Sequence, residues 1–270
     1  MKIYDCFSYW DEDFLLDTRL NILNDYVDYF VIVEGNKTWQ NNPKKLRFDI
    51  DKFKRFKEKI IYIAVEDLPD GDDPYLRENY QRNSIERGLI KAESEDLILI
   101  SDLDEIPNPI KLVNFDQKQK YCVFKQKHFY YKINLQSKLT PYWYGTRICV
   151  KKYLRSPQWL RDLKFKKRPF WRIDKYRLNN IIEDGGWHFC NLKNPEDLLY
   201  KYQNLCETND PHNFQEKIDE KYLNTEEIRN RIKERKDIIG REDSFHRINV
   251  DSSYPKYILD NYSKFTDWIS

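Results

Sequence analysis

Apolar positions along this chain fall into two patterns. Four short stretches, residues 3–9, 29–34, 60–65 and 96–100, read as strands, the second and fourth with the consecutive large apolar residues of strands buried on both faces. Between them the spacing turns helical. Phe14, Leu15, Leu20 and Leu23 repeat at three to five residues behind Asp11, a candidate cap. Residues 49–58 predict a charged helix, 69–74 an acidic turn and 75–93 a long helix. Strand and helix thus alternate, which predicts a parallel sheet with crossover helices and a Rossmann-like first half.

The second half reads differently. Residues 121–133 and 142–153 are strand-like and rich in Tyr, Phe and Trp, and predict an antiparallel extension of the sheet. Residues 159–167 suit a short helix or loop. Gly185-Gly186 interrupts 181–190 before the strand-like Trp187-His188-Phe189-Cys190. Asn194 and Pro195 predict the start of a helix over 195–206, and a charged helix over 225–239 should stop at Gly240. A last segment covers 257–268. No repeat, linker or low-complexity stretch divides the chain, so the expectation is one α/β domain over 1–270, mostly parallel, with C-terminal helices.

Composition narrows this picture. A net charge of +2 is too balanced for a nucleic-acid binder. Eleven Lys and Arg nevertheless crowd residues 151–177. They form either a solvated face or a patch for an anion. With 7 Gly and no Gly-x-Gly-x-x-Gly or Walker pattern, a glycine-rich phosphate loop is excluded. No signal-peptide pattern follows Met1, and no stretch approaches the length of a membrane span. Cys6, Cys122, Cys149, Cys190 and Cys206 are odd in number and lack zinc spacing. They read as buried free thiols in a reducing compartment.

Chemistry concentrates where the fourth run ends, in Ser101-Asp102-Leu103-Asp104-Glu105-Ile106-Pro107. Ligands of open α/β sheets gather beyond the carboxyl ends of strands. Two aspartates two residues apart point the same way on an extended backbone and can hold a hard divalent cation. Acids in a turn before proline are also common without one, and the spacing alone leaves both readings open. Glu34 ends a second strand on the same edge and could accept hydrogen bonds from a base or ribose. Glu78, Gln81 and Arg82 share a helix face. Arg82 either pairs with Glu78 or meets a diphosphate or the 102–105 acids. His188 is a core histidine or a further metal ligand, and Glu183 and Asp184 beside it could supply a general base. No nucleophilic triad is visible.

The segments Tyr4-Asp5-Cys6-Phe7-Ser8-Tyr9, Arg19-Leu20-Asn21, Val27 to Glu34 with Thr38, Glu78 to Arg82, Ile100 to Pro107 and Gly185 to Phe189 occur in that order. Together they resemble glycosyltransferase family 17, the bisecting β-1,4-N-acetylglucosaminyltransferase family. The resemblance implies a GT-A-like fold, residues 1–107 forming the nucleotide-binding half and 108–270 the acceptor side. It implies Asp104 as principal ligand of Mn²⁺ or Mg²⁺, Asp102 as its assistant or as a ribose contact, and His188 as a further ligand. Phe7 and Glu34 would border the nucleobase, and Asp184, Glu183 and Glu105 are the candidate bases; Gln81 and Arg82 are further candidates for binding the donor, Arg82 by holding its phosphates.

The implied reaction is inverting transfer of a sugar, GlcNAc from UDP-GlcNAc, to a glycan or glycolipid hydroxyl. Animal members are Golgi type II membrane proteins. The absence of an anchor here leads to the expectation of a soluble bacterial or viral type, cytoplasmic, with peripheral contact at the inner membrane face. A lipid-linked, capsular or lipopolysaccharide acceptor then fits better than an N-glycan. Rival readings are a nucleotidyltransferase or metal phosphohydrolase, and a non-catalytic nucleotide- or glycan-binding module.

Overall fold

A computed structural model describes residues 1–164, 180–206 and 220–270. The chain runs β1 (Ile3–Ser8), α1 (Asp13–Leu23), β2 (Tyr29–Gly35), β3 (Ile60–Val65), α2 (Pro74–Asn83), β4 (Leu97–Asp102), β5 (Glu105–Pro107) and α3 (Pro109–Val113). It continues through β6 (Tyr121–Tyr130), β7 (Leu135–Ser137), β8 (Tyr142–Val150), α4 (Pro157–Asp162), β9 (Asn180–Cys190), α5 (Pro195–Asn204), α6 (Thr225–Lys233), β10 (Phe245–Arg247) and α7 (Lys256–Asp260). The fold is α/β around a mixed sheet of order β10-β7-β6-β8-β4-β1-β2-β3, with β9 paired to both β5 and β6.

The strands β3, β2, β1 and β4 are mutually parallel, and the apolar runs of β2 and β4 are buried on both faces. Beyond β4 the sheet turns antiparallel through β8 and β6, which is the aromatic extension. Side chains alternate across β1. Tyr4 and Cys6 join the core beneath Leu160 and Ile85, while Phe7 joins the one packed against α1.

Several elements are shorter than their sequence pattern. The helix expected over 75–93 ends at Asn83 and tightens into a 3-10 segment over Ser84–Gly88. Gly88 there lies so close to Val31 that a Cβ would collide with it. The helix expected to 239 stops at Lys233. Asp11 does not cap α1. Its carboxylate pairs with Lys193 instead, and the N-cap position is Glu12, whose side chain makes no cap bond. Asn194 and Pro195 start α5 as expected, the Asn194 side chain accepting from the Asp197 amide.

The Gly185-Gly186 break marks a close approach within β9. Gly186 has φ +129°, and a Cβ there would meet the Ile106 carbonyl of β5. That contact lets β9 lie against β5 with Glu105 opposite His188.

Candidate active site

The carboxyl ends of β1 and β4 open into a cleft of about 620 Å³, a size that suits a small-molecule ligand. Five carboxylates line it: Glu12, Glu78, Asp102, Asp104 and Glu105. Their placement depends on the turn after β4, and that turn is built around one buried cation.

Arg19 is on the apolar face of α1 between Leu16, Leu20 and Leu23 and has no solvent exposure. Its Nε and Nη2 donate to the two oxygens of Asp5 on β1, at 2.8 and 2.6 Å, and Nη2 also donates to Ser101 Oγ at 2.6 Å. Its Nη1 donates to the carbonyls of Asp102, Leu103 and Glu105 at 2.9, 3.0 and 3.0 Å. Phe7 lies beneath the guanidinium, 4.4 Å from its ring centroid. Arg19 thus fixes the backbone of the acidic turn without entering the cleft.

On this backbone the acids diverge. Asp102, whose side chain is 41 % exposed, meets Arg161 at 2.6 Å and Arg82 at 3.2 Å. Burial works to raise the Asp102 carboxyl, but the Arg161 and Arg82 guanidiniums overrule it and hold it well below the usual carboxylate range. Glu105 is 1 % exposed and fully engaged. Its oxygens accept from both Arg161 nitrogens at 2.6 and 2.7 Å, from the Trp143 indole at 2.7 Å and from the Asp102 amide at 3.1 Å.

Asp104 faces the other way, toward β9, where His188 Nε2 lies 3.3 Å away. The Phe189 amide donates to the Asp104 carbonyl at 2.9 Å and locks this pairing. Burial opposes charge on both groups. Their attraction prevails, so Asp104 is held below the carboxylate range and His188 well above the usual imidazole range. His188 stacks on His128 at 4.7 Å with planes 4° apart, and Trp143 packs against both rings. His128 stays neutral: burial and the neighbouring His188 depress it to about 3.

The structure gathers Asp102, Asp104, Glu105, Gln81, Arg82 and His188 around one cleft. Arg82 takes both roles considered for it, donating to Glu78 at 2.7 Å as well as meeting Asp102. Four expected residues lie elsewhere. Phe7 is in the core beneath Arg19 and does not reach the cleft. Glu34 is fully buried and already saturated. It accepts from Lys44, from the Arg47 and Phe48 amides at 2.8 and 3.0 Å and from the Tyr62 hydroxyl at 3.0 Å. It anchors residues 44–48 over the sheet edge rather than offering oxygens to a base. Glu183 is exposed and pairs with Lys125, and Asp184 contributes its carbonyl to Asn108; neither lines the cleft. With Glu105 clamped by Arg161, the three acids expected as base have no oxygen open to the cleft in this arrangement.

Arg161 is the cation that the sequence reading leaves in the basic segment. Lys166, Lys167, Arg168, Arg172, Lys175 and Arg177 of that segment lie outside the described residues. The aromatic lining, with Trp10 and Trp39 at 5.3 Å and Trp143 besides, is built from residues with no motif of their own. Among the described residues no helix is long and apolar enough to cross a membrane.

Comparison with known proteins bears on the family to which this chain belongs. Three curated proteins named beta-1,4-mannosyl-glycoprotein 4-beta-N-acetylglucosaminyltransferase are similar to the chain. The Homo sapiens protein is 24 % identical over 284 residues, covering 93 % of this chain and 52 % of its own length. Its Rattus norvegicus and Mus musculus counterparts are 24 % and 23 % identical, with 93 % of this chain and 51 % of each covered. The chain therefore spans about half the length of the curated relatives it matches. The profile of glycosyltransferase family 17 matches residues 1–267, nearly the whole sequence, and the chain belongs to that family.

Proposed function

We propose that the cleft binds UDP-GlcNAc with a divalent cation and transfers the sugar, with inversion, to a glycan hydroxyl on a GT-A-like framework. The observation that carries this reading is the Asp102-x-Asp104 turn at the end of β4, with His188 delivered opposite Asp104 by β9. The names of the relatives support N-acetylglucosamine as the transferred sugar and a β-linked product.

The residues present fit a cation. Asp104 and His188 are adjacent, Asp102 is the most exposed acid of the turn, and His188 Nδ1 is buried without a hydrogen-bond partner. Two carboxylates with one imidazole form a mixed oxygen–nitrogen set, which favours Mn²⁺ over Mg²⁺. When bound, the cation would offset charge on the leaving diphosphate. The chain's own groups do the rest. Arg82 and Arg161 offer planar guanidiniums that suit phosphate oxygens. Trp10, Trp39 and Trp143 offer faces for a base or a sugar. Arg19 holds the turn in place while these partners change. The buried thiols of Cys6, Cys122 and Cys149 fit a reducing compartment, and we place the enzyme in the cytoplasm.

The test is mass analysis of products from UDP-GlcNAc, Mn²⁺ and a panel of lipid-linked, capsular and mannosyl acceptors. Release of UDP with a glycosylated acceptor, abolished by Asp104→Ala, supports the reading. Pyrophosphate or phosphate release points to the nucleotidyltransferase or phosphohydrolase reading. UDP binding without turnover at any Mn²⁺ concentration points to a binding module.

A further inference from the structure

The cleft contains a second set of donors that shares only His188 with the proposed reaction. Strands β6 and β9 run parallel in a register that sets His128 beside His188 and Tyr130 beside Cys190. Residues two apart on a strand share a face, so Cys190 stands on the same side as His188. One ligand atom from each of His128, His188 and Cys190 lies within 4.8 Å of the others, and all three residues line the cleft.

The two imidazoles are held in the way metal-binding imidazoles are held. Each anchors one ring nitrogen and leaves the other bare. His128 Nδ1 lies 3.0 Å from the Thr140 carbonyl, which makes it the donor there, and Nε2 is buried with no partner. His188 Nε2 faces the Asp104 carboxylate at 3.3 Å, and Nδ1 is buried with no partner. Carbonyl and carboxylate partners of this kind orient a ligating ring. Trp143 packs on both rings and limits their rotation. Around a four-coordinate zinc, nitrogen and sulfur ligands are about 3.3–3.8 Å apart, so closing this triad takes side-chain shifts of about 1 Å.

We propose that His128, His188 and Cys190 form a site for a borderline divalent cation, Zn²⁺ foremost, with a fourth position filled by water from the cleft. Two imidazoles and a thiolate prefer Zn²⁺ to Mn²⁺ or Mg²⁺. Binding expels the Cys190 thiol proton and the His188 Nδ1 proton to solvent, so that both ligands meet the cation through free electron pairs. The site shares His188 with the hard-cation position. Zn²⁺ therefore antagonises sugar transfer by competing with the hard cation for the His188 ring, a consequence that rests on the transferase reading, whereas the binding itself does not.

The full chain is titrated with Zn²⁺ against a chromophoric chelator, and with Co²⁺ in the ultraviolet. The expected result is one tight equivalent of Zn²⁺ and a thiolate-to-cobalt charge-transfer band. Cys190→Ser abolishes the band. His128→Gln weakens Zn²⁺ by at least the about 10-fold that loss of an outer partner costs. Asp102→Asn leaves both readouts in place, and circular dichroism verifies the fold of each variant. No cobalt–thiolate band in the wild type, or unchanged Zn²⁺ affinity in both ligand variants, overturns the proposal. So does a loss in Asp102→Asn that matches the loss in Cys190→Ser, because zinc then rests on the acids. A chain that binds Zn²⁺ as described but transfers no sugar sinks the transferase reading and not this one.

Discussion

Replacing Arg19 by methionine tests the architecture of the turn most directly. The substitution keeps an unbranched stem and the helix propensity of the side chain and removes six hydrogen bonds, three of them to the carbonyls of 102, 103 and 105. It also strands the Asp5 carboxylate, which, like Arg19, has no side-chain exposure. Removing one partner of a buried pair costs about 3–5 kcal/mol. Each bare carbonyl adds about 1–3 kcal/mol unless water enters. Total stabilities of about 5–15 kcal/mol leave little reserve against such a loss. For a chain of this length each kcal/mol moves the melting temperature by about 2–4 °C, so Arg19→Met should melt at least about 10 °C below the wild type.

Urea denaturation of Arg19→Met, Asp5→Leu and the double variant separates the contributions. The double variant should recover the charge component and remain below the wild type by the cost of the carbonyls. A single variant within about 1 kcal/mol of the wild type would refute the view that Arg19 is the keystone of the turn, because that is the worth of one ordinary hydrogen bond.

Two further predictions concern the clamps around the acids. Arg161→Met leaves Glu105, 1 % exposed, with only the Trp143 indole and the Asp102 amide; it should cost about 3–5 kcal/mol in urea denaturation. The Asp104–His188 pair should impose a pH dependence with a fixed sign. His188 is raised in the folded state, so its contribution is fully present below the unfolded value of about 6.5 and is lost as pH rises through the folded value. Asp104 is lowered, so its contribution is present above about 3.9 and is lost as pH falls through the folded value. Urea midpoints should therefore decline on the alkaline side of about pH 6.5 in the wild type, and His188→Gln should flatten that slope. Parallel slopes in the two proteins would show that the pair does not carry it.

The parts of this molecule legible in its sequence are those where one local pattern has one physical cause. The run 97–100 is apolar without interruption because β4 is flanked by β1 and β8 and covered on both faces, and Asp102 falls where that cover ends. Arg19 left a readable sign too: a cation within the stripe of Leu16, Leu20 and Leu23 must find acceptors inside. Arg161 left none. It follows Leu160 and precedes Asp162 in a segment dense in Lys and Arg, and only the packing of α4 against β4 and α2, with a bond to the Gly145 carbonyl, brings it onto Glu105. Glu34 illustrates the converse. A strand-end acid looks available until residues 44–48 fold across it, and nothing local announces that fold. The His128–His188 contact depends on a parallel register between strands more than fifty residues apart, which periodicity does not encode.

The charge pattern of the cleft has one further consequence. Each of the five lining carboxylates already faces a cation: Glu12 has Lys193, Glu78 and Asp102 have Arg82, Asp102 and Glu105 have Arg161, and Asp104 has His188. A divalent cation arriving alone must compete with Arg82 and Arg161 for Asp102. A diphosphate arriving alone must draw the same arginines away from the acids. Arriving together, they exchange partners: the cation takes the carboxylates while the phosphate oxygens take the guanidiniums, and no charge is left uncompensated. Mn²⁺ and UDP should therefore bind cooperatively, with a coupling of about 1–3 kcal/mol, or roughly 5- to 150-fold in affinity. Calorimetry of Mn²⁺ with and without saturating UDP measures the coupling, and the reciprocal titration must return the same factor. Asp102→Asn removes the shared acceptor and should shrink the coupling toward zero. Equal Mn²⁺ affinity with and without UDP in the wild type would mean that the arginines hold Asp102 for structure alone and that the exchange does not occur.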